Sequence, residues 1–274
     1  MFHKLLSKFI IFLKKKLPVS FKINHKFQNR NQVTNLDIII TSLKNKDFNP
    51  DYIVDVGCFR GIWTKKLLKY FPKSKYLLFD ADDKNIEYLD KIKSNNKNID
   101  YKIKLLSDDE KDYDFFSMAS GSSIFEEQTN YAREIKKIKS SLLFNELPNE
   151  IKNTKSNLIK LDVQGAELKI ITGLKELINN FEVIILEVSL HKYNKNSPLF
   201  YDVIYYMQNK KYILYDIYDL KRLGDRDSYL LQFDCVFLRD DSNLLKVNFH
   251  YWFYNYNFTL LSALFLKILT SLIY

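Results

Sequence analysis

Residues 52–63 read "YIVDVGCFRGIW". An apolar, β-branched run ends on Asp55, Gly57 follows at once, and a second glycine, Gly61, precedes Ile62 and Trp63. The stretch that follows, "IWTKKLLKYF" (62–71), spaces Ile62, Trp63, Leu67, Leu68 and Phe71 as one helical face before Pro72 stops it. Strand, glycine loop and helix in that order open a βα unit. The fold depends on whether the rhythm continues.

It continues. "YLLFDA" (76–81) reads as a second strand, and "DDKNIEYLDKIKSN" (82–95) as a helix whose leading acids suit its N-terminus. "IDYKIKLLS" (99–107) reads as a third strand. Residues 126–147 then read as helical with mixed charge, inside a stretch, 117–150, that reads as an insertion or lid. "NLIKLDV" (157–163), "GAELKIITGLKELINN" (165–180), "FEVIILEVSL" (181–190) and "PLFYDVIYYMQNK" (198–210) resume strand, helix, strand and helix. "KYILYDIYDL" (211–220) and "YLLQFDCVFLRD" (229–240) are joined by a connection too short for a crossover helix, so they should be antiparallel. The expected fold is α/β: a doubly wound, mostly parallel sheet with an antiparallel terminal hairpin, spanning residues 49–242.

Composition bounds the partners. Two cysteines, Cys58 and Cys235, make no disulfide framework and fit a reducing, cytoplasmic setting. The histidines, His3, His25, His191 and His250, are scattered, so spacing predicts no metal site. The net charge of +9 is concentrated: residues 1–36 hold eight basic residues and no acid. The body is nearly balanced, so no nucleic-acid groove is expected across it.

Glycine after a strand serves any tight turn. Two features narrow the reading. Asp80 ends the second strand, where a carboxylate can accept from both hydroxyls of a ribose. Phe59 stands where a dinucleotide fingerprint needs bare backbone, which argues against the pyrophosphate of an NAD-dependent sugar oxidoreductase or epimerase. The remaining pattern, Asp55, Gly57 and Gly61 with Asp80, suits S-adenosylmethionine. On these residues alone other doubly wound proteins stay open.

"LIKLDVQGAELKIITG" (158–173), read with "DVGCFRGIW" (55–63), "SGSSIF" (120–125) and "VIILEVS" (183–189), resembles the FkbM-type family of class I S-adenosylmethionine-dependent methyltransferases. The resemblance spans about residues 50–240, and "KLDVQGAE" (160–167) is its most specific part. It implies a Rossmann-like fold, methyl transfer, and an oxygen acceptor on a sugar or glycan-like molecule. Members usually carry a small residue and often asparagine after the first glycine; here Cys58 and Phe59 stand there, which keeps a non-catalytic, cofactor-binding relative as an alternative.

Candidate roles follow. Asp55 fixes the glycine loop, Gly57 and Gly61 touch the cofactor, and Asp80 grips its ribose. Ser107 and Asp108 end the third strand, where class I enzymes contact adenine, although "SDDEK" (107–111) also reads as a solvated turn. Asp162 and Glu187 are acids in apolar strands, where burial demands partners or a function. Asp162 is open as base, acceptor-binding group or metal ligand. His191 is a candidate base or merely a loop histidine. Both termini stand apart. The basic arm (within 1–48) and the apolar tail "FTLLSALFLKILTSLIY" (258–274, within 243–274) together suit peripheral contact with the inner face of a membrane. Packing of the tail on the sheet, or on a second subunit in a homo-oligomer, is the alternative.

Overall fold

The computed structural model describes residues 35–223 and 229–246. Its strands are β1 (Tyr52–Val56), β2 (Lys75–Asp80), β3 (Ile99–Ile103), β4 (Leu105–Ser107), β5 (Asp112–Ser117), β6 (Glu134–Leu142), β7 (Asn157–Leu161), β8 (Phe181–Ser189), β9 (Tyr212–Leu223) and β10 (Tyr229–Arg239). Its helices are α1 (Asn35–Lys44), α2 (Ile62–Leu67), α3 (Ile86–Ser94), α4 (Leu143–Glu146), α5 (Glu167–Gly173) and α6 (Phe200–Asn209). The main sheet has seven strands in the order β3-β2-β1-β7-β8-β10-β9. β10 runs antiparallel to both neighbours, and the rest of the sheet is parallel. Strand order reverses beside β1, so the crevice outside the carboxyl ends of β1 and β7 is where such a sheet receives a ligand.

Both faces of the sheet are covered, which is why its central strands are apolar almost throughout. Alternate side chains divide between two cores. Val54, Val56, Ile159, Leu161, Ile184, Leu186, Cys235 and Phe237 pack with α5 and α6. Ile53, Leu158, Val183, Ile185, Val236 and Leu238 pack with α1, α2 and α3, and Cys58 joins this second core.

The structure departs from the sequence reading at the third strand and at the insertion. The stretch 99–107 is two strands: Lys104 separates β3 from β4, and β4 leaves the main sheet to pair with β6. Residues 126–147 are not a helix. They contain β6, which lies between β4 and β5 in a three-stranded sheet, and the short α4. Ile135 and Ile138 oppose Phe116 and Tyr113 across strands. The mixed charges pair across the same ladder: Lys137 reaches Asp114 at 3.8 Å, and Lys139 stands opposite Asp112. The helices are also shorter than periodicity implied. Residues 175–180, for example, form a 3₁₀ segment after α5. The basic arm up to residue 34 and the apolar tail lie outside the described residues. No helix among the described residues is long and apolar enough to cross a membrane.

Candidate active site

The loop after β1 is built on left-handed backbone. Gly57 stands at φ 74°, and a Cβ placed on it would lie 1.9 Å from the carbonyl oxygen of Asp162. Only glycine lets the ends of β1 and β7 approach so closely. Phe59 is also left-handed, at φ 48°, and its N–H donates to Asp80 Oδ2 at 2.7 Å. Asp80 Oδ1 accepts from the Asp82 N–H at 2.8 Å and from Asn85 Nδ2 at 3.1 Å. Burial pushes the Asp80 pKa up, and these hydrogen bonds oppose that rise.

Asp80 borders a cleft at the carboxyl ends of β1 and β2, whose apolar wall includes Leu105, Leu106, Phe115 and Ile170. The open volume is about 60 Å³. Ligand sites of this class usually enclose roughly 300–1,000 Å³. Ala119, Ser120, Ser122, Ser123 and Ile124 of the insertion line the same cleft.

A second cleft of about 440 Å³ opens on the α1–α2 side of the same loop. It lies over a polar belt that crosses the sheet. Asp55 on β1 is in register with Lys160 on β7, and Asp234 on β10 stands opposite both Glu187 on β8 and Tyr218 on β9. Lys160 is only 4% exposed, with Nζ 2.8 Å from Asp162 Oδ2. Burial alone would depress its pKa, but Asp162, Asp234 and Asp55 reverse that and keep it protonated. Burial pushes Asp162 up, and the Lys160 ammonium outweighs it, holding Asp162 down at about 2. Glu187 is driven well above the carboxylate range by burial and by the Asp162 charge, against the pull of Lys221. It accepts hydrogen bonds from Lys221 and Gln164. Burial pushes Asp55 up to about 6. Thr64 donates to its Oδ2 at 2.6 Å, whereas its buried Oδ1 has no partner within the protein.

The loop after β7 closes the junction. Gln164 is left-handed at φ 55°, and Gly165 stands at φ 106°. Glu167 Oε1 accepts from the N–H groups of Val163 at 3.0 Å and Gly165 at 3.1 Å, so this glutamate shapes the loop as well as opening α5. Ser123 Oγ donates to the Gln164 carbonyl at 2.9 Å. "SGSSIF" and "KLDVQGAE", far apart in sequence, therefore meet over the site.

The methyltransferase FkbM domain, as a family, matches residues 55–214, from Asp55 into β9. This chain belongs to that family. Its reaction is methyl transfer and its cofactor is S-adenosylmethionine, which removes the NAD-dependent alternative. Among solved structures, the chain is similar to an S-adenosylmethionine-dependent methyltransferase from Clostridium acetobutylicum ATCC 824, at 10% identity and a TM-score of 0.44, covering 85% of this chain and 98% of that one. It is also similar to precorrin-6y C5,15-methyltransferase from Geobacter metallireducens GS-15, at 8% identity and a TM-score of 0.41, covering 76% and 92%. A third is TrmK of M. capricolum in complex with S-adenosyl-homocysteine, at 9% identity and a TM-score of 0.39, covering 73% and 68%. No curated protein matches the chain.

Of the FkbM-domain residues singled out in the sequence, Asp55, Gly57, Asp80 and Asp162 lie around the two clefts, with Glu187 hydrogen-bonded into the same network. Gly61 lines neither cleft. It stands at φ 64°, and a Cβ there would lie 2.3 Å from Ile92 Cδ1, so it serves the packing of α2 on α3. Ser107 is buried and donates to Asp108, which Lys169 holds at 2.9 Å. Neither borders the cleft, because the chain turns from β3 to β4 and presents Lys104, Leu105 and Leu106 instead. His191 is exposed, with its ring 4.8 Å from that of Tyr229, and borders neither cleft. Among the described residues no cluster could hold a metal ion. Lys160, Asp234, Tyr218 and Trp63 escaped the sequence reading. The first two had a signal: each is a charge at an inward position of an otherwise apolar strand.

Proposed function

We propose that the chain transfers a methyl group from S-adenosylmethionine to a hydroxyl oxygen of a sugar or glycan-like acceptor held in the second cleft. One observation carries the reading: the two clefts share Gly57, Phe59, Ser120 and Asp162. A donor in one and an acceptor in the other would meet at that wall. Bound there, S-adenosylmethionine supplies an electrophilic methyl on a sulfonium that leaves as a neutral thioether. The chain's own work is alignment, which can contribute several kcal/mol, and removal of one proton. As the new O–C bond forms and the C–S bond breaks, the acceptor oxygen becomes far more acidic than any carboxylic acid. Asp162, kept ionised by its low pKa, can therefore take that proton although it is a weak base, with Lys160 and Glu187 fixing its position.

The test is incubation of the full chain with labelled S-adenosylmethionine and a panel of glycosides and envelope glycans. Labelled ether product is expected, and Asp162→Asn should lower kcat by roughly 10²–10⁴. Cofactor binding by calorimetry with no transfer to any hydroxyl acceptor would refute the acceptor assignment and favour the non-catalytic alternative.

A further inference from the structure

Gln164 lies in the turn after β7 and lines neither cleft. It is buried and stands in left-handed backbone at φ 55°, a conformation uncommon outside glycine. Its carbonyl is held by two other parts of the chain. Ser123 Oγ of the insertion donates to it at 2.9 Å, and Asn194 Nδ2 of the loop after β8 at 2.6 Å. With the backbone fixed from both sides, the side chain enters the polar belt.

Every hydrogen bond of the amide goes to that belt. Nε2 donates to Asp162 Oδ1 at 3.2 Å and also to Glu187 Oε2, while Oε1 accepts from Gln232 Nε2 at 3.2 Å. An amide nitrogen carries two N–H groups, so its donors match the two acids one to one. Lys160 holds the other oxygen of Asp162, and Lys221 the other oxygen of Glu187. Each acid is thus gripped at both oxygens, by an ammonium on one side and by the shared amide on the other. The two carboxyl groups also meet directly, and charged together they repel. The amide is the neutral group that bridges them. A glutamate of the same shape could not serve, because it would add a carboxylate beside Asp162, Glu187 and the facing Asp234.

We propose that Gln164 is a positioning residue, whose amide divides its two N–H groups between Asp162 and Glu187 and so keeps the Asp162 carboxylate aimed at the wall the two clefts share. This rests on the reading of Asp162 as the proton acceptor, and adds the residue that holds it in place.

The experiment compares the full chain with Gln164→Met, which fills a similar volume without donors. The Glu187 carboxyl carbon, assigned by its loss in Glu187→Gln, is followed by ¹³C NMR as pH is raised. A donor to a carboxylate favours the charged form, so losing it should raise the Glu187 midpoint by about half a pH unit or more. Asp162, Lys160, Lys221 and Asp234 also act on Glu187 and remain in place, so the change reports the amide. Should the methionine variant not fold, Gln164→Gly suits the left-handed backbone, lacks the amide and should raise the midpoint likewise. An unchanged or lowered midpoint in the folded variant overturns the proposal. With any hydroxyl acceptor that takes label, Gln164→Met should lower kcat roughly 10–100-fold, as for a misplaced reacting group, with KM and calorimetric affinity for S-adenosylmethionine unchanged. A loss confined to KM also overturns it. Absence of labelled product from the wild type refutes the acceptor reading instead, and the Glu187 titration still decides whether the amide pairs the two acids.

Discussion

Replacement of Lys160 by methionine tests the polar belt most directly. The ammonium is nearly inaccessible, bonded to Asp162 at 2.8 Å, and lowers the pKa values of Asp55, Asp162 and Asp234 together. Methionine fills a similar volume but leaves the buried Asp55 and Asp234 and the half-buried Asp162 without their cation. Breaking a buried pair by removing one partner costs about 3–5 kcal/mol. The sign of the pH dependence follows. Without Lys160 the folded-state pKa of each carboxylate rises, so each binds a proton more readily in the variant than in the wild type. Protonation then offsets the loss as pH falls. The deficit against the wild type should be about 3–5 kcal/mol at pH 8 and clearly smaller at pH 5. Urea unfolding followed by circular dichroism at both pH values measures it. A deficit below about 1 kcal/mol at pH 8, or one that grows on acidification, would show that the belt is not held by this charge. Adding Asp162→Asn to Lys160→Met should recover part of the loss, since the pair interacts directly.

Asp55→Asn should stabilise the chain at alkaline pH. The folded pKa is raised from 3.8 to about 6, so the wild type loses stability as pH climbs through that range; the variant should gain up to about 3 kcal/mol at pH 8 and nothing near pH 4, and a gain that is the same at both pH values would contradict this. Asp80→Ala removes the ribose acceptor and should weaken S-adenosylmethionine binding by about 1–3 kcal/mol, read by calorimetry, with unchanged affinity counting against the role. Gly57→Ala drives a methyl into the Asp162 carbonyl at a positive φ and should cost about 1–3 kcal/mol or more; a variant with wild-type melting and affinity would disprove the contact. The full chain should float with anionic liposomes at low salt, and a variant lacking 1–20 and 256–274 should not; equal flotation would end the membrane reading.

Much of this was legible because parallel strands buried on both faces leave little freedom. "YIVDVG" and "FEVIILEVSL" could be little else than central strands, and the short link before Tyr229 forced an antiparallel closing pair. The insertion was less legible because Ile135 and Ile138, three apart among lysines, fit a helix as well as a strand. Its sheet is decided by cross-strand partners at Asp112 and Asp114 that no local window contains. Asp80 and Asp162 could be placed at the clefts because each stands at the carboxyl end of an apolar strand. Ser107, Asp108 and His191 lie away from both clefts for another reason: the chain leaves the main sheet after Lys104, and the loop after β8 turns its histidine outward onto Tyr229. Tyr218 and Trp63 were illegible, because an aromatic in a half-buried strand or on a helix reads as core until the cleft it borders is seen.

The two thiols have a practical consequence. Cys235 is fully buried in one packing layer, its pKa pushed up to about 12 by burial. Cys58 lies in the opposite layer at the rim of the second cleft, its thiol driven well above the usual range by burial and by Asp55. Only a thiolate reacts at an appreciable rate, so the folded chain should resist alkylating reagents at both positions. Each thiol then reports when its surroundings open. Cys235 is accessible only when the central sheet comes apart, whereas Cys58 is exposed when the glycine loop alone lifts. Single-cysteine variants in pulsed alkylation would separate local breathing at the binding loop from global unfolding, with no label added, and would show which of the two a bound cofactor suppresses.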